Sequence, residues 1–142
     1  MILDKALLFS DAQAITAAAA STDYADLGSA RDIGLGKTLY VAVTVDVAFT
    51  DAGNDSTLTV ALESDDNTGF ATPTSTTLFT IPALAAIGNK YFAKISPDAA
   101  NQRYIRLYYT PNNGNLTTGS VTAAIVADID KQVNYPKGYT IS

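Results

Sequence analysis

The chain has 142 residues, 47% of them hydrophobic, enough for one domain with a sizeable core. It carries a net charge of −5 with only 16% charged residues, and its nine Lys and Arg are scattered, which excludes a basic face for a nucleic-acid backbone. It contains no His, Cys or Trp, so the side chains behind most acid–base, thiolate and metal chemistry at neutral pH are missing, and a disulfide framework is excluded.

The first ten residues read MILDKALLFS. Asp4 and Lys5 leave only Ala6–Phe9 as an apolar run, too short for a secretory signal despite the small residues of Ala12-Gln13-Ala14. No run approaches the roughly 18 apolar residues of a membrane span. The stretch Asp11–Ala20 (DAQAITAAAA) is ambiguous. Alanine favours a helix and Ser10 or Asp11 would cap one, but such a helix would have little beyond Ile15 to bury. The expectation is therefore extended chain, with an extended N-terminal segment over about residues 1–30.

From Leu39 to Phe49 the pattern LYVAVTVDVAF has period two. It places Leu39, Val41, Val43, Val45, Val47 and Phe49 on a buried face and Tyr40, Ala42, Thr44, Asp46 and Ala48 on the other. The turn cluster Asp51, Gly53, Asn54, Asp55 follows. Thr57–Ser64 resumes the alternation with Leu58, Val60 and Leu62 inward, and the two segments are expected to pair as a hairpin with a long, bulged loop. Ser64–Pro73 (SDDNTGFATP) is a polar connection that Phe70 should pin to the edge of the core. Thr76–Pro82 is a short strand with Leu78, Phe79 and Ile81, and Pro82 marks an end or an edge. Lys90–Ser96 is another strand, followed by the turn Pro97-Asp98.

Arg103–Thr110 (RYIRLYYT) sets Ile105, Leu107 and Tyr109 against Tyr104, Arg106 and Tyr108. The turn Pro111-Asn112-Asn113-Gly114 leads to Ser120–Ile129, with Val121, Ala123, Ile125, Ala127 and Ile129 inward, and these two segments are expected to form a hairpin. The tail Gln132–Ser142 (QVNYPKGYTIS) reads as an arm rather than a core strand. Six or more short strands at regular spacing define a single all-β domain, a sandwich or barrel, whose core draws on Val41, Val43, Val45, Leu58, Val60, Leu62, Ile105, Leu107, Val121 and Ile125. The paired Cys and core Trp of an immunoglobulin-type sandwich are absent.

Candidate chemistry is sparse. Asp51, Asn54 and Asp55, with Asp65, Asp66 and Asn67, offer hard oxygens of the kind calcium takes, but without EF-hand spacing. Asp and Asn are also ordinary turn residues, so no metal site is assigned. Glu63 is the sole Glu and Asp46 the other acid outside a loop or terminus, which gives no facing carboxylate pair for glycoside hydrolysis. No catalytic residue and no cofactor is assigned, and the chain is read as a non-enzyme. Tyr104, Arg106 and Tyr108 share one strand face, and aromatics with Arg are what interfaces enrich. The plain alternative is cross-strand packing on a half-exposed sheet. Tyr135 and Tyr139 of the arm are the other candidate contacts.

Several stretches resemble the Bbp16-type capsid cement proteins of tailed bacteriophages. They are Leu62–Pro73, Gln102–Thr110, Gly119–Asp128, the opening FSDAQAIT at Phe9–Thr16, and Ala25-Asp26-Leu27-Gly28. The resemblance implies a jelly-roll-like antiparallel β-sandwich, without catalysis or cofactor, on the outer surface of an icosahedral head. The protein would be made in the host cytoplasm and would bridge neighbouring major capsid proteins of the HK97-type fold. A homo-oligomer is expected, dimer favoured over trimer, with no nucleic-acid or membrane partner. The alternative from another class is a non-catalytic carbohydrate- or receptor-binding sandwich.

Overall fold

The computed structural model describes residues 7–26, 39–96 and 102–126. They form nine strands: β1 (Leu8–Ala14), β2 (Ala19–Ala20), β3 (Ala25–Asp26), β4 (Tyr40–Thr50), β5 (Thr57–Asp65), β6 (Thr74–Ile81), β7 (Lys90–Lys94), β8 (Tyr104–Asn112) and β9 (Thr118–Val126). One sheet has the order β1-β9-β4-β7 and the other β2-β8-β5-β6, with β3 also pairing β8. Every pairing is antiparallel. The ambiguous alanine-rich stretch is extended: it supplies the end of β1, buries Ile15 completely, and supplies β2.

The pairings nest. β5 pairs with β6, β4 with β7, β2 and β3 with β8, and β1 with β9. The chain is thus one long antiparallel ribbon, rolled so that successive rungs fall in alternate sheets. Pairings β4–β9 and β5–β8 then knit the rungs together. This is the jelly-roll arrangement of two Greek keys.

The rolled ribbon corrects both expected hairpins. β4 and β5, adjacent in sequence, lie in opposite sheets, and so do β8 and β9. Period-two alternation tells which side of a strand is buried, not which sheet the strand joins. Both sheets turn an apolar face to one shared core, so their strands look alike. The connections at residues 51–56 and 113–117 cross between the sheets, a span of about 10 Å. The hairpin that does form is β5–β6, at the tip of the ribbon.

All ten aliphatic side chains expected in the core are buried, together with Phe9, Ile15, Phe49, Ile81, Ile95, Tyr109 and Leu116. At about 1.5–3 kcal/mol for each large apolar side chain, this burial is the main term opposing chain entropy. Pro82 directly follows β6, which is indeed an edge strand. Leu78 and Phe79 both reach the core although they are adjacent, because a bulge opposite Val60 and Ala61 puts one extra residue into β6.

Val47 is the exception within β4. It is 46% exposed, whereas the alternation placed it inward. The register against β9 slips between Val45 and Val47 and again between Val47 and Thr50. The first slip turns Val47 outward and the second returns Phe49 to the core. On the opposite edge of β4 the β6–β7 connection continues the ladder beyond Thr44–Lys90: Val45 N donates to Asn89 O (2.9 Å), Gly88 N to Val45 O (2.8 Å) and Phe49 N to Ala85 O (3.0 Å). Ala127, Ile129 and the arm Gln132–Ser142 lie outside the described residues.

Candidate functional site

Strand β8 alternates as expected: Ile105, Leu107 and Tyr109 are fully buried and Tyr104, Arg106 and Tyr108 line the outer face half-buried. Arg106 stands directly across from Glu63 in the β5–β8 register, and its Nε donates to Glu63 Oε1 at 2.7 Å. The guanidinium lies 4.2 Å from the centroid of the Phe70 ring and 5.8 Å from that of Tyr108. An Arg so placed is neutralised by its carboxylate and stacked on an aromatic face, which fixes its rotamer.

The β5–β6 loop delivers Phe70. Asp65 organises this loop by accepting hydrogen bonds from the backbone N–H of Asp66 (2.7 Å), Asn67 (3.3 Å) and Thr72 (3.1 Å), and Asn67 Oδ1 accepts from Gly69 N at 2.7 Å. Phe70 itself has φ +49°, a left-handed conformation held by its N–H to Asn67 O at 3.0 Å. Its ring is buried beneath Tyr24, with centroids 6.2 Å apart, and Tyr24 in turn meets Tyr104 edge-on at 5.5 Å. Arg103 closes the row, 4.9 Å from the Tyr104 centroid, with Nε and Nη2 donating to the two oxygens of Asp26 at 2.9 and 3.2 Å.

Tyr104, Arg106 and Tyr108 are therefore three members of a larger strip that also holds Tyr24, Phe70, Arg103, Asp26 and Glu63. The sequence reading gave Phe70 its loop-pinning role but missed Tyr24, Arg103 and Asp26. They join the strip because β3 pairs with β8, and a two-residue strand leaves no periodicity to read. Tyr135 and Tyr139, the other candidate contacts, lie outside the described residues. The strip is preorganised and charge-balanced. It offers aromatic faces and phenol hydroxyls, with each guanidinium held by its own carboxylate, which suits surface recognition better than proton transfer.

The acidic loops do turn chemistry. Asp51 accepts from the backbone N–H of Gly53 (3.0 Å), Asp55 (3.3 Å) and Ser56 (3.2 Å). Partial desolvation pushes the Asp51 and Asp65 carboxyls up, but these backbone hydrogen bonds, with side-chain ones from Ser56 and Asp66, outweigh it and hold both below the usual aspartate range. Among the described residues no cluster of three or more acidic side chains is placed to hold a metal ion. Asp46 accepts a short hydrogen bond from Thr122 Oγ1 across the β4–β9 pair, so it and Glu63 are both engaged within their sheets.

An all-β jelly roll whose outer strip is aromatic and internally paired resembles non-catalytic structural or binding modules. The Bbp16 family matches residues 9–125, from β1 almost to the end of β9, and the chain belongs to that family. Membership points to a phage-related structural protein. Among solved structures the chain is similar to the CBM22-1–GH10 modules of the Clostridium thermocellum N-terminal endo-1,4-beta-D-xylanase 10B, complexed with xylohexaose, at 17% identity and a TM-score of 0.41. That likeness covers 70% of this chain and 18% of the xylanase chain, so the chain spans less than a fifth of that protein. No curated protein matches the chain. Among the described residues no helix is long and apolar enough to cross a membrane.

Proposed function

We propose that the protein is a capsid cement protein: it binds the outside of an icosahedral tailed-phage head and clamps neighbouring HK97-type major capsid proteins, without catalysis or cofactor. The observation that carries this reading is the family match over residues 9–125, which takes in almost the whole sandwich. The physical character of the domain supports it. A cement protein resists internal pressure passively, and a rolled ribbon in which every described strand but β6 is hydrogen-bonded to a partner remote in sequence is a stiff body. Repeated weak contacts suffice on a lattice, because linking contacts raises avidity by ~10²–10⁴-fold without strengthening any one of them.

The contacts assigned are the Tyr104/Arg106/Tyr108 strip and the arm with Tyr135 and Tyr139, where aromatic side chains would serve as anchors. A homo-oligomer, dimer before trimer, is part of the proposal, since closed symmetry is the default for such surfaces. Deleting Gln132–Ser142, or replacing Tyr104 and Tyr108 by Ala, should reduce occupancy on heads by more than any loss of domain stability accounts for. Heads carrying the truncated protein should lose resistance to heat and osmotic shock. Full occupancy and full protection by both variants would remove these contacts from the proposal.

A further inference from the structure

The turn Asn113-Gly114 takes no part in the core or in the aromatic strip. It carries a reactive pairing found nowhere else in the chain, since Asn113 is the one asparagine followed by glycine. The backbone nitrogen after an asparagine lies within reach of the asparagine's own side-chain carbonyl carbon, and groups so tethered react without an encounter. A side chain on the following residue crowds that approach, and glycine has none. The turn leaves the pair open. Asn113 and Gly114 are exposed where the chain leaves β8 to cross to the other sheet, with φ of +65° and +109°. Gly114 N donates to no described residue. Apart from its chain neighbours, a Cβ on Gly114 would meet only Ser56 Oγ, at 3.7 Å, so the space around it is open.

The amide is also loosely held. Asn113 Nδ2 makes one long hydrogen bond, to Asp55 O at 3.4 Å. Other asparagines are tied more firmly and precede residues with side chains. Asn112 Nδ2 donates to Thr57 Oγ1 and Thr59 Oγ1 at 3.2 and 2.8 Å, and Asn67 Oδ1 accepts from Gly69 N at 2.7 Å. The pair is anchored only at its carbonyls, with Ser56 Oγ 3.1 Å from Gly114 O and 3.3 Å from Asn113 O. Loss of the amide nitrogen has a local consequence. A carboxylate at position 113 accepts but cannot donate, so it would face Asp55 O with no hydrogen between them. It would also add charge to a corner that already holds Asp51 and Asp55. The connections 51–56 and 113–117, which both cross between the sheets, meet at these contacts.

We propose that Asn113-Gly114 is a modification site, where the folded protein deamidates without an enzyme and gains a negative charge between its two crossing loops. Gly114 N gives its proton to hydroxide and bonds to Asn113 Cγ. The Cγ–Nδ2 bond breaks, and the nitrogen takes a proton from water and leaves as ammonia, giving a cyclic imide. Water then adds to one imide carbonyl. Addition at Cγ breaks the new N–Cγ bond and gives aspartate; addition at the backbone carbon breaks the peptide bond to Gly114 and gives isoaspartate, with the chain now running through the former side chain. This does not rest on the capsid reading, and the test needs no capsid. Full-length folded protein is aged in water enriched in heavy oxygen, at mildly acidic and mildly alkaline pH, then digested and followed by peptide mass spectrometry. The Asn113 peptide should lose its amide, take up one heavy oxygen, split into aspartate and isoaspartate isomers, and convert faster at the higher pH. Peptides with Asn54, Asn67 and Asn89 should keep their amides, and Gly114→Ala should slow the conversion. An intact Asn113 after ageing, or conversion to aspartate alone, would overturn the proposal whether or not Gly114→Ala folds. Asn113→Asp should also lower the urea midpoint below that of the neutral Asn113→Ser. Equal midpoints would overturn the effect of the charge on the crossing loops.

Discussion

The hydroxyl of Tyr109 lies in the core between the sheets, 2.7 Å from Ser10 Oγ. Ser10 faces inward because β1 bulges between Leu8 and Ser10. Its single proton goes to Gln13 Oε1 at 2.7 Å, so Tyr109 is the donor to Ser10. Gln13 Oε1 also accepts from Thr22 N at 2.8 Å, and its Nε2 donates to Ala20 O at 2.9 Å. This relay ties β1 in one sheet to β2 and β8 in the other. Burial pushes the Tyr109 phenol well above its usual range, so it keeps its proton and remains a donor. Tyr109→Phe should cost about 1 kcal/mol, the net worth of one hydrogen bond. Ser10→Ala should cost more, about 1–3 kcal/mol, because it strands a buried phenol. Urea unfolding of the two variants checks the order, and a neutral Ser10→Ala would contradict the relay.

The two depressed carboxyls give a pH prediction at the same scale. Asp51 and Asp65 titrate lower in the folded chain than in the unfolded one, so their stabilisation is fully present above the unfolded value of about 3.9. It is lost as pH falls from there through the lower folded values. Denaturant midpoints followed from pH 6 to pH 2 should therefore drop less steeply below pH 4 in the Asp51→Asn/Asp65→Asn double variant than in the wild type. Parallel profiles would show that these loops are not held by ionised side chains.

At the scale of elements, the bulged half of β4 depends on one glycine. Gly119 in β9 has φ +155°, and a Cβ there would meet Phe49 Cδ1 at 2.7 Å and Leu116 Cδ1 at 3.3 Å. Phe49 is the residue that the second bulge returns to the core, and it needs the space that Gly119 leaves open. Gly119→Ala should cost about 1–3 kcal/mol through overpacking. The part of that cost due to Phe49 should disappear in a Phe49→Ala background, as a double-mutant cycle by thermal unfolding would read, while the part due to the φ of +155° should stay. An undiminished penalty there would show that Phe49 contributes nothing and that the strain lies in the backbone alone.

Much of this level was legible in the sequence, and the rest was not, for physical reasons. Val41, Val43, Val45, Leu58, Val60 and Leu62 announce buried faces because the side-chain period of a strand is two, whatever its partner. Partnership is a long-range property: Val60 lies beside Tyr109, and Val41 beside Ile125. No local pattern encodes those pairings, so β4–β5 and β8–β9 read as hairpins when the ribbon had sent their members to opposite sheets. Val47 misled for a related reason, since the slips that turn it outward belong to its pairing with β9, a partner remote in sequence. The β8 half of the surface strip was visible as an alternation. Tyr24 and Arg103 became part of it through the β3–β8 pairing and the aromatic contacts.

For the molecule as a whole, shape and surface have one logic. Among the described residues, a ribbon rolled into two sheets buries most of its large aliphatics, leaves an aromatic strip on one outer face, and pairs both arginines of that strip with carboxylates. Such a body presents a prearranged aromatic surface on a two-sheet frame, and the role proposed for it is attachment to a lattice. The most direct measurement is co-sedimentation of the purified, full-length protein with phage heads stripped of it, in expanded and unexpanded forms, beside a panel of free glycans. The account predicts saturable binding to expanded heads, little to unexpanded precursors, and none to glycans. Failure to bind expanded heads at any concentration, or saturable binding to a glycan instead, would contradict it.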